Sequence, residues 1–142
     1  MTDDLDTAWL REASKLAELC PPSDTAFSVG AIIVAADGNE ISRGYSRETH
    51  PTIHAEESAL EKAAGDSRLQ GGTIYTTLEP CGERRSRPLT CAQLIISAGI
   101  ARVVLAWREP NKFVSVPSGI SVLTDAGLDV VEMPDVGPPL MV

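Results

Sequence analysis

The sequence predicts an α/β fold in which a mainly parallel sheet carries helices on both faces. Short apolar runs rich in β-branched residues alternate with stretches rich in Ala, Leu and Glu, and Gly and Pro punctuate the boundaries. Alternating strands and helices favour parallel pairing, because each helix returns the chain to the start of the next strand. On such a sheet, ligands bind at the carboxyl ends of the strands.

The first predicted element is a helix that begins near three aspartates and ends before two prolines. Asp3, Asp4 and Asp6 stand where the positive end of the helix dipole favours carboxylates, and Pro21 and Pro22 cannot continue a helix. Its apolar positions recur at helical spacing and comprise Leu5, Ala8, Trp9, Ala13, Leu16 and Ala17. We expect this apolar face to pack against the sheet.

A hairpin and three further pairs of helix and strand account for most of the remaining chain. Residues 27–36 form a β-branched apolar run, and the turn at 37–39 joins them to 40–45 in an antiparallel hairpin whose first strand is expected inside the sheet. The later predicted elements are a helix over 54–64 closed by Gly65, a strand over 72–78, a helix over 90–98, a strand over 101–107, a helix over 119–126, a strand over 128–132 and an irregular tail from 133.

Length, composition and charge exclude several classes of protein. The 142 residues predict a single domain over 1–142 with a core at about 5–132, and 43% apolar with 23% charged residues is too hydrophobic for a disordered chain. No apolar run approaches the roughly twenty residues that span a bilayer, so no membrane partner is expected. A net charge of −8 opposes a sequence-independent grip on polynucleotides. Three cysteines without a secretory signal favour a reducing, cytoplasmic setting.

One constellation carries the chemistry of a metal site. His54 opens a predicted helix, Cys81 follows a predicted strand and Cys91 opens another helix, and one imidazole with two thiolates suits zinc. Three protein ligands leave a fourth position open, as catalytic zinc sites do. Helix N-termini are expected to lower the thiol pKa values. Glu56 can project toward the same cavity and shuttle protons, which suits hydrolytic attack on an amino-bearing carbon.

These residues belong to motifs that resemble the cytidine deaminase-like superfamily. The motifs are Phe27-Ser28-Val29-Gly30-Ala31, Thr52-Ile53-His54-Ala55-Glu56 and Thr76-Thr77-Leu78-Glu79-Pro80-Cys81. The resemblance covers about residues 5–132 and implies a three-layer α/β/α sandwich around a five-stranded mixed sheet. It also implies zinc held by His54, Cys81 and Cys91, Glu56 as the proton shuttle, backbone contact from Ala55 and Cys81 to the substrate ring, and a homodimer.

Within that superfamily, the chain is similar to the deaminase domain of riboflavin biosynthesis. Both share a Thr-Leu-Glu-Pro-Cys stretch and a long gap between the cysteines, here nine residues between Cys81 and Cys91. In this chain Ala26 replaces an Asn of that family, and no reductase domain is expected within residues 1–142. Ser46 replaces an Asn of the similar tRNA adenosine deaminases. Loss of these amides favours a substrate with little ribose recognition, such as a free base.

Several further residues are candidates for substrate contact. Arg84, Arg85 and Arg87 form a basic cluster between two ligands that could bind phosphate or carboxylate, although a solvated loop is the alternative. Aromatic residues could stack on a flat ring, and core packing is the alternative for the first of them. The candidates are Phe27, Trp107 and Phe113.

The sequence therefore predicts a zinc-dependent hydrolase that removes an exocyclic amine from a nucleobase or related heterocycle, with a cytosine-like substrate favoured. One alternative is a stand-alone riboflavin-biosynthesis diaminopyrimidine deaminase, which the arginine cluster favours. The other is a catalytically inactive zinc-binding scaffold. In that case His50 or Glu56 would close the metal site, since structural zinc usually has four protein ligands.

Overall fold

The computed structural model describes residues 2–23, 26–82, 89–108 and 118–136. Every predicted helix and strand is present, and a short 3₁₀ helix at Ser67–Leu69 is an addition. The elements are α1 (Thr2–Ala17), β1 (Gly30–Val34), β2 (Glu40–Tyr45), α2 (Ala55–Lys62), β3 (Thr73–Leu78), α3 (Cys91–Ser97), β4 (Arg102–Trp107), α4 (Gly119–Asp125) and β5 (Asp129–Glu132). Over the described ranges, no helix has the length and apolarity to cross a membrane.

The sheet has five strands in the order β2-β1-β3-β4-β5. β1 pairs antiparallel with both β2 and β3, whereas β3 with β4 and β4 with β5 are parallel. Four strands therefore run in one direction and β1 alone runs against them. The hairpin turns β2 back along β1, and α2 then carries the chain past β1 to the other side of that strand. The mixed sheet and the interior position of β1 are both confirmed.

Helices cover both faces of this sheet and form the predicted α/β/α sandwich. Successive residues of β1 point to opposite faces, as the pleat of a strand requires. Ile32 and Val34 pack with Leu10, Ala13 and Leu16 of α1. On the opposite face, α2, α3 and α4 cover a larger core that includes Ala31, Ile33, Ala59, Ile95, Val103, Leu105 and Leu123.

The buried face of α1 differs from the predicted one. Leu5 is 61% exposed and Ala8 is exposed, while Asp6 and Leu10 are buried. Asp6 does not act as a solvated charge at the helix start. Instead it forms an ion pair with Arg102 of β4, at 2% exposure, and accepts a hydrogen bond from the Tyr75 hydroxyl at 2.8 Å. This polar anchor ties α1 to two strands, which is why the helix turns an aspartate rather than a leucine toward the sheet.

The contact between α1 and β1 predicts a large effect at Gly30. A Cβ there would lie 1.9 Å from the Ala13 carbonyl oxygen and 2.8 Å from Leu16 Cβ, so α1 would have to move. We expect Gly30→Ala to lower the free energy of unfolding by about 3 kcal/mol, the upper end of overpacking costs, measured by urea denaturation. Gly127→Ala is the control, since its Cβ would meet open space and only its backbone φ of 91° is unfavourable. An equal or smaller loss at Gly30 would contradict this packing.

Candidate metal centre and active site

Three donor atoms from three separate elements meet at one end of the sheet. His54 is the N-cap of α2, Cys81 follows β3 and Cys91 is the first residue of α3. His54 Nδ1 lies 3.2 Å from Cys91 Sγ and 3.7 Å from Cys81 Sγ. All three donor atoms fall within 4.8 Å of one another. The three residues are thus positioned to bind one metal ion.

The donor set and its spacing fit zinc. Tetrahedral zinc, with bonds of about 2.0 Å to nitrogen and about 2.3 Å to sulfur, places nitrogen and sulfur donors about 3.5 Å apart. The two distances from His54 Nδ1 bracket that value. Imidazole and thiolate are also the donors that zinc prefers. His54, Cys81 and Cys91 would hold the ion through Nδ1 and the two sulfurs.

Backbone hydrogen bonds fix these donors. The Cys91 N–H donates to Cys81 Sγ at 3.2 Å, and the Ala92 N–H donates to the Cys81 carbonyl at 3.1 Å. Thr90 caps α3 by accepting from the Gln93 N–H at 3.1 Å. The start of α3 therefore supplies one ligand and orients another.

A carboxylate fixes the third donor in the same way. The His54 N–H donates to Glu57 Oε1 at 3.0 Å, and Glu57 is buried in the first turn of α2. This bond holds the backbone of His54 in its extended N-cap conformation. Both helix starts thus present metal ligands in a defined orientation.

The two thiols do not share one protonation behaviour. The hydrogen bond from Cys91, with help from His54, lowers the pKa of Cys81, whereas the same shared bond and burial raise the pKa of Cys91. The expectation that helix N-termini lower both pKa values is therefore wrong for Cys91. Its place at the start of α3 does not offset complete burial beside a second thiol.

Glu56 lies beside the ligand cluster and lines the adjoining cavity. Its side chain belongs to the first turn of α2, two residues after His54, and the residue is 4% exposed. Burial raises the pKa of the Glu56 carboxyl to about 7, although the nearby His54 opposes this shift. A carboxyl group with such a pKa can hold or release a proton near neutrality.

The cavity beside the cluster has a volume of about 470 Å³, within the range of sites for ligands larger than a single ring. It contacts the metal cluster through His54 and Cys81. The lining also includes polar residues from the turns that follow α1 and β2. The described lining residues are Ser23, Ala26, Phe27, Val29, Ser46, Arg47, Pro51, Thr52, Ile53, His54, Glu56, Leu78, Glu79 and Cys81.

Four residues that were predicted to contact substrate can be placed. Phe27 lines the cavity and also packs against the core. Ser46 lines it as well, but its hydroxyl accepts from the Val29 N–H at 3.0 Å. Trp107 does not line this cavity, because its half-buried side chain packs against the core clusters on both faces of the sheet. Ala55 is fully buried in the core and is also absent from the lining.

Other sequence candidates lie outside the described residues. Arg84, Arg85 and Arg87 fall within 83–88, and Phe113 falls within 109–117. Their roles stay predictions.

Two further residues, Glu79 and Arg47, line the cavity, and the sequence alone assigned neither of them a defined role there. Glu79 is 4% exposed and accepts from the Ile120 N–H at 3.0 Å, so it binds the start of α4. Gly119 permits this approach, since a Cβ there would lie 1.6 Å from the Pro80 carbonyl oxygen. Arg47 also lines the cavity. The sequence signal that could have identified Arg47 is its position between the predicted strand 40–45 and the predicted helix that begins at His54.

The α/β/α fold, the His, Cys and Cys cluster and the buried glutamate beside it are the features of the zinc deaminase class. Residues 3–107 match the family described as the cytidine and deoxycytidylate deaminase zinc-binding region. This match covers most of the chain, and the protein belongs to that family.

Similar proteins are named for riboflavin biosynthesis. The chain is 40% identical over 127 residues to the diaminohydroxyphosphoribosylamino-pyrimidine deaminase of Schizosaccharomyces pombe, covering 87% of this chain and 31% of that protein. Among solved structures, Aspergillus oryzae Rib2 deaminase in complex with DARIPP has a TM-score of 0.78 and 32% identity, covering 90% of this chain and 84% of that one. Acinetobacter baumannii RibD has a TM-score of 0.79 and 32% identity, covering 94% and 37%. The chain spans about three tenths of the length of the S. pombe relative.

Proposed function

We propose that this protein hydrolytically deaminates a diaminohydroxypyrimidine that carries a phosphoribosylamino group. The observation that carries this proposal is the cluster of His54, Cys81 and Cys91, which borders through His54 and Cys81 the cavity that Glu56 also lines. The relatives named above supply the substrate class. We therefore favour the alternative of a riboflavin-biosynthesis diaminopyrimidine deaminase over the cytosine-like substrate that the sequence alone favoured.

Two features weaken the sequence-based preference for a free base. The volume of about 470 Å³ leaves room for more than a bare ring. The Ser46 hydroxyl already accepts a hydrogen bond from the Val29 N–H, so this side chain forms part of the cavity wall. Its identity therefore says little about whether the substrate carries a ribose. The loss of an amide at this position is therefore a weak argument against a sugar.

The proposed reaction uses the residues of the cavity as follows. When bound, zinc supplies the Lewis acidity that makes water a competent nucleophile near neutral pH. Glu56 would accept a proton from the attacking water and pass it to the ring nitrogen. It would then take the proton of the new hydroxyl group and give it to the amine, which leaves as ammonia while the ring carbon becomes a carbonyl. Burial of Glu56 keeps bulk water from competing for that proton. Phe27 would stack on the pyrimidine from the cavity wall.

The remaining contacts are weaker parts of the proposal. Ala55 would contribute its backbone and Ser46 would form part of the cavity wall, while Arg84 and Arg87 would approach an anionic part of the substrate. A homodimer, a cytoplasmic location and a single domain over 1–142 also remain proposals.

The function is tested by ammonia release from zinc-loaded protein with a panel of matched compounds. The panel contains the phosphoribosylamino diaminopyrimidine, its ribosylamino form without phosphate, the diaminopyrimidine base, cytosine and dCMP. We expect the highest kcat/KM for the phosphorylated diaminopyrimidine. Equal or higher kcat/KM for cytosine would restore the free-base preference, and silence toward all five, with zinc bound, would favour an inactive scaffold.

A further inference from the structure

Arg47 has an unusual backbone at the edge of the cavity. Its φ of 60° lies in the left-handed region, and it is the only described residue other than glycine with a positive φ. A non-glycine residue in that region costs on the order of 1–2 kcal/mol, and such costs persist where the surrounding structure fixes them. Here the Arg47 N–H donates to the Ile53 carbonyl at 2.9 Å, immediately before the ligand His54. The turn from β2 to α2 therefore sets the direction of this side chain.

Three hydrogen bonds hold the guanidinium of Arg47, and all three acceptors are neutral. Nε donates to the Pro21 carbonyl at 2.9 Å, one terminal nitrogen to the Phe27 carbonyl at 3.3 Å and the other to Ser28 Oγ at 2.8 Å. A guanidinium has five N–H donors, so these bonds leave two. The contacts orient the group without neutralising it.

The charge of Arg47 is uncompensated within the described part of the chain. No carboxylate there pairs with it, although the sequence contains 20 Asp and Glu against 12 Lys and Arg. Arg43, four residues earlier, is by contrast paired with Glu40. Its guanidinium donates to the two carboxylate oxygens of Glu40 at 2.6 Å and 2.8 Å. An oriented cation without a counterion on a cavity wall is suited to an anionic ligand.

The distribution of charge along the cavity agrees with a ligand of two different ends. Glu56 and Glu79 line it at 4% exposure, near the metal ligands, whereas Arg47 is half-buried. The buried carboxylates suit the amino-bearing ring. The accessible cation suits a negative group that remains closer to solvent.

We propose that Arg47 binds the phosphate of the substrate and so sets the preference for phosphorylated compounds. This inference rests on the proposed function and adds a residue to it. The left-handed backbone of Arg47 and its hydrogen bonds to Phe27 and Ser28 hold the guanidinium in place before the substrate binds. Binding of phosphate by a preoriented group avoids the ordering cost that a free arginine side chain would incur.

The test combines substitution of Arg47 with removal of the phosphate from the substrate. Arg47→Gly retains the left-handed backbone without steric cost and deletes the cation, and Arg47→Lys retains the charge without the fork. We expect Arg47→Gly to raise KM about 10- to 100-fold for the phosphorylated substrate, with little change for the ribosylamino form. Arg47→Lys should recover part of this loss. Arg43→Ala, which removes a paired arginine outside the cavity, should leave both KM values unchanged.

Binding to the inactive Glu56→Gln protein, measured by calorimetry with and without Arg47→Gly, supplies a readout that does not need turnover. Equal weakening for substrates with and without phosphate would overturn the inference and leave Arg47 as a residue that positions the cavity wall. Loss of phosphate preference in Arg84→Ala/Arg87→Ala alone would overturn it in favour of Arg84 and Arg87. Wild-type protein that ignores the phosphorylated substrate would instead contradict the proposed function itself.

Discussion

Glu56→Gln is expected to reduce kcat between about 10²-fold and 10⁴-fold while the protein keeps its zinc. Glutamine preserves the size of this buried side chain but cannot carry a proton between water, ring nitrogen and leaving amine. His54, Cys81 and Cys91 are unchanged by the substitution, so metal content should not fall. The measurements are ammonia release under saturating substrate and zinc content by atomic absorption.

Glu61→Gln is the matched control, because Glu61 lies on the same helix with its side chain exposed to solvent. We expect wild-type kcat for that variant. Normal turnover by Glu56→Gln would remove Glu56 from the reaction. Loss of zinc together with activity would show instead that Glu56 supports the metal site.

Asp6→Asn is expected to lower the free energy of unfolding by about 3 kcal/mol at pH 7. Asp6 is buried between α1 and the sheet, where Arg102 donates to both carboxylate oxygens and Tyr75 to one of them. Asparagine removes the negative charge and leaves a partly buried guanidinium. The cost falls at the lower end for a broken buried ion pair, since the Arg102 side chain is 24% exposed and Asp129 lies 3.5 Å away.

The effect at Asp6 should depend on pH in one direction. Hydrogen bonds from Arg102 and then Tyr75 hold the pKa of Asp6 below its ordinary value of 3.8, although burial opposes them. A carboxyl group with a lowered pKa in the folded protein contributes stability above its unfolded pKa and loses it as the pH falls through the folded pKa. The difference between wild type and Asp6→Asn should therefore shrink below about pH 4.

Urea denaturation of both proteins from pH 7 to pH 3 measures this difference. Asp4→Asn on the exposed side of α1 provides the control and should change stability by less than about 0.5 kcal/mol. A loss at Asp6 that matches the control, or that grows as the pH falls, would contradict the ion pair.

Local signals account for the elements that the sequence predicts well. Helix α3 is the clearest case: residues 90–98 were predicted, and Thr90 and Ala98 are the observed caps of Cys91–Ser97. The cap, the short apolar spacing and the following glycine all lie within one segment. The candidate metal ligands His54 and Cys91 were predictable for the same reason. Each lies at the start of a helix whose boundaries are set by neighbouring residues in the sequence.

Contacts between distant segments account for what the sequence did not predict. Asp6 looked like a solvated helix start because its partners Tyr75 and Arg102 are 69 and 96 residues away. Trp107 at the carboxyl end of β4 was expected at the cavity, but its side chain packs instead against the core clusters on both faces of the sheet. Arg47 carries no motif, and its orientation depends on carbonyls 20 and 26 residues earlier.

The central claim is that this site hydrolyses the amine of a phosphoribosylamino diaminopyrimidine. The most direct measurement is mass spectrometry of the product formed by zinc-loaded protein in water labelled with heavy oxygen, with ammonia counted in parallel. We predict one labelled oxygen in the pyrimidine product for each ammonia released, and formation of both at least about 10²-fold slower in Glu56→Gln. Unchanged pyrimidine, or ammonia release without label in the ring, would contradict the account.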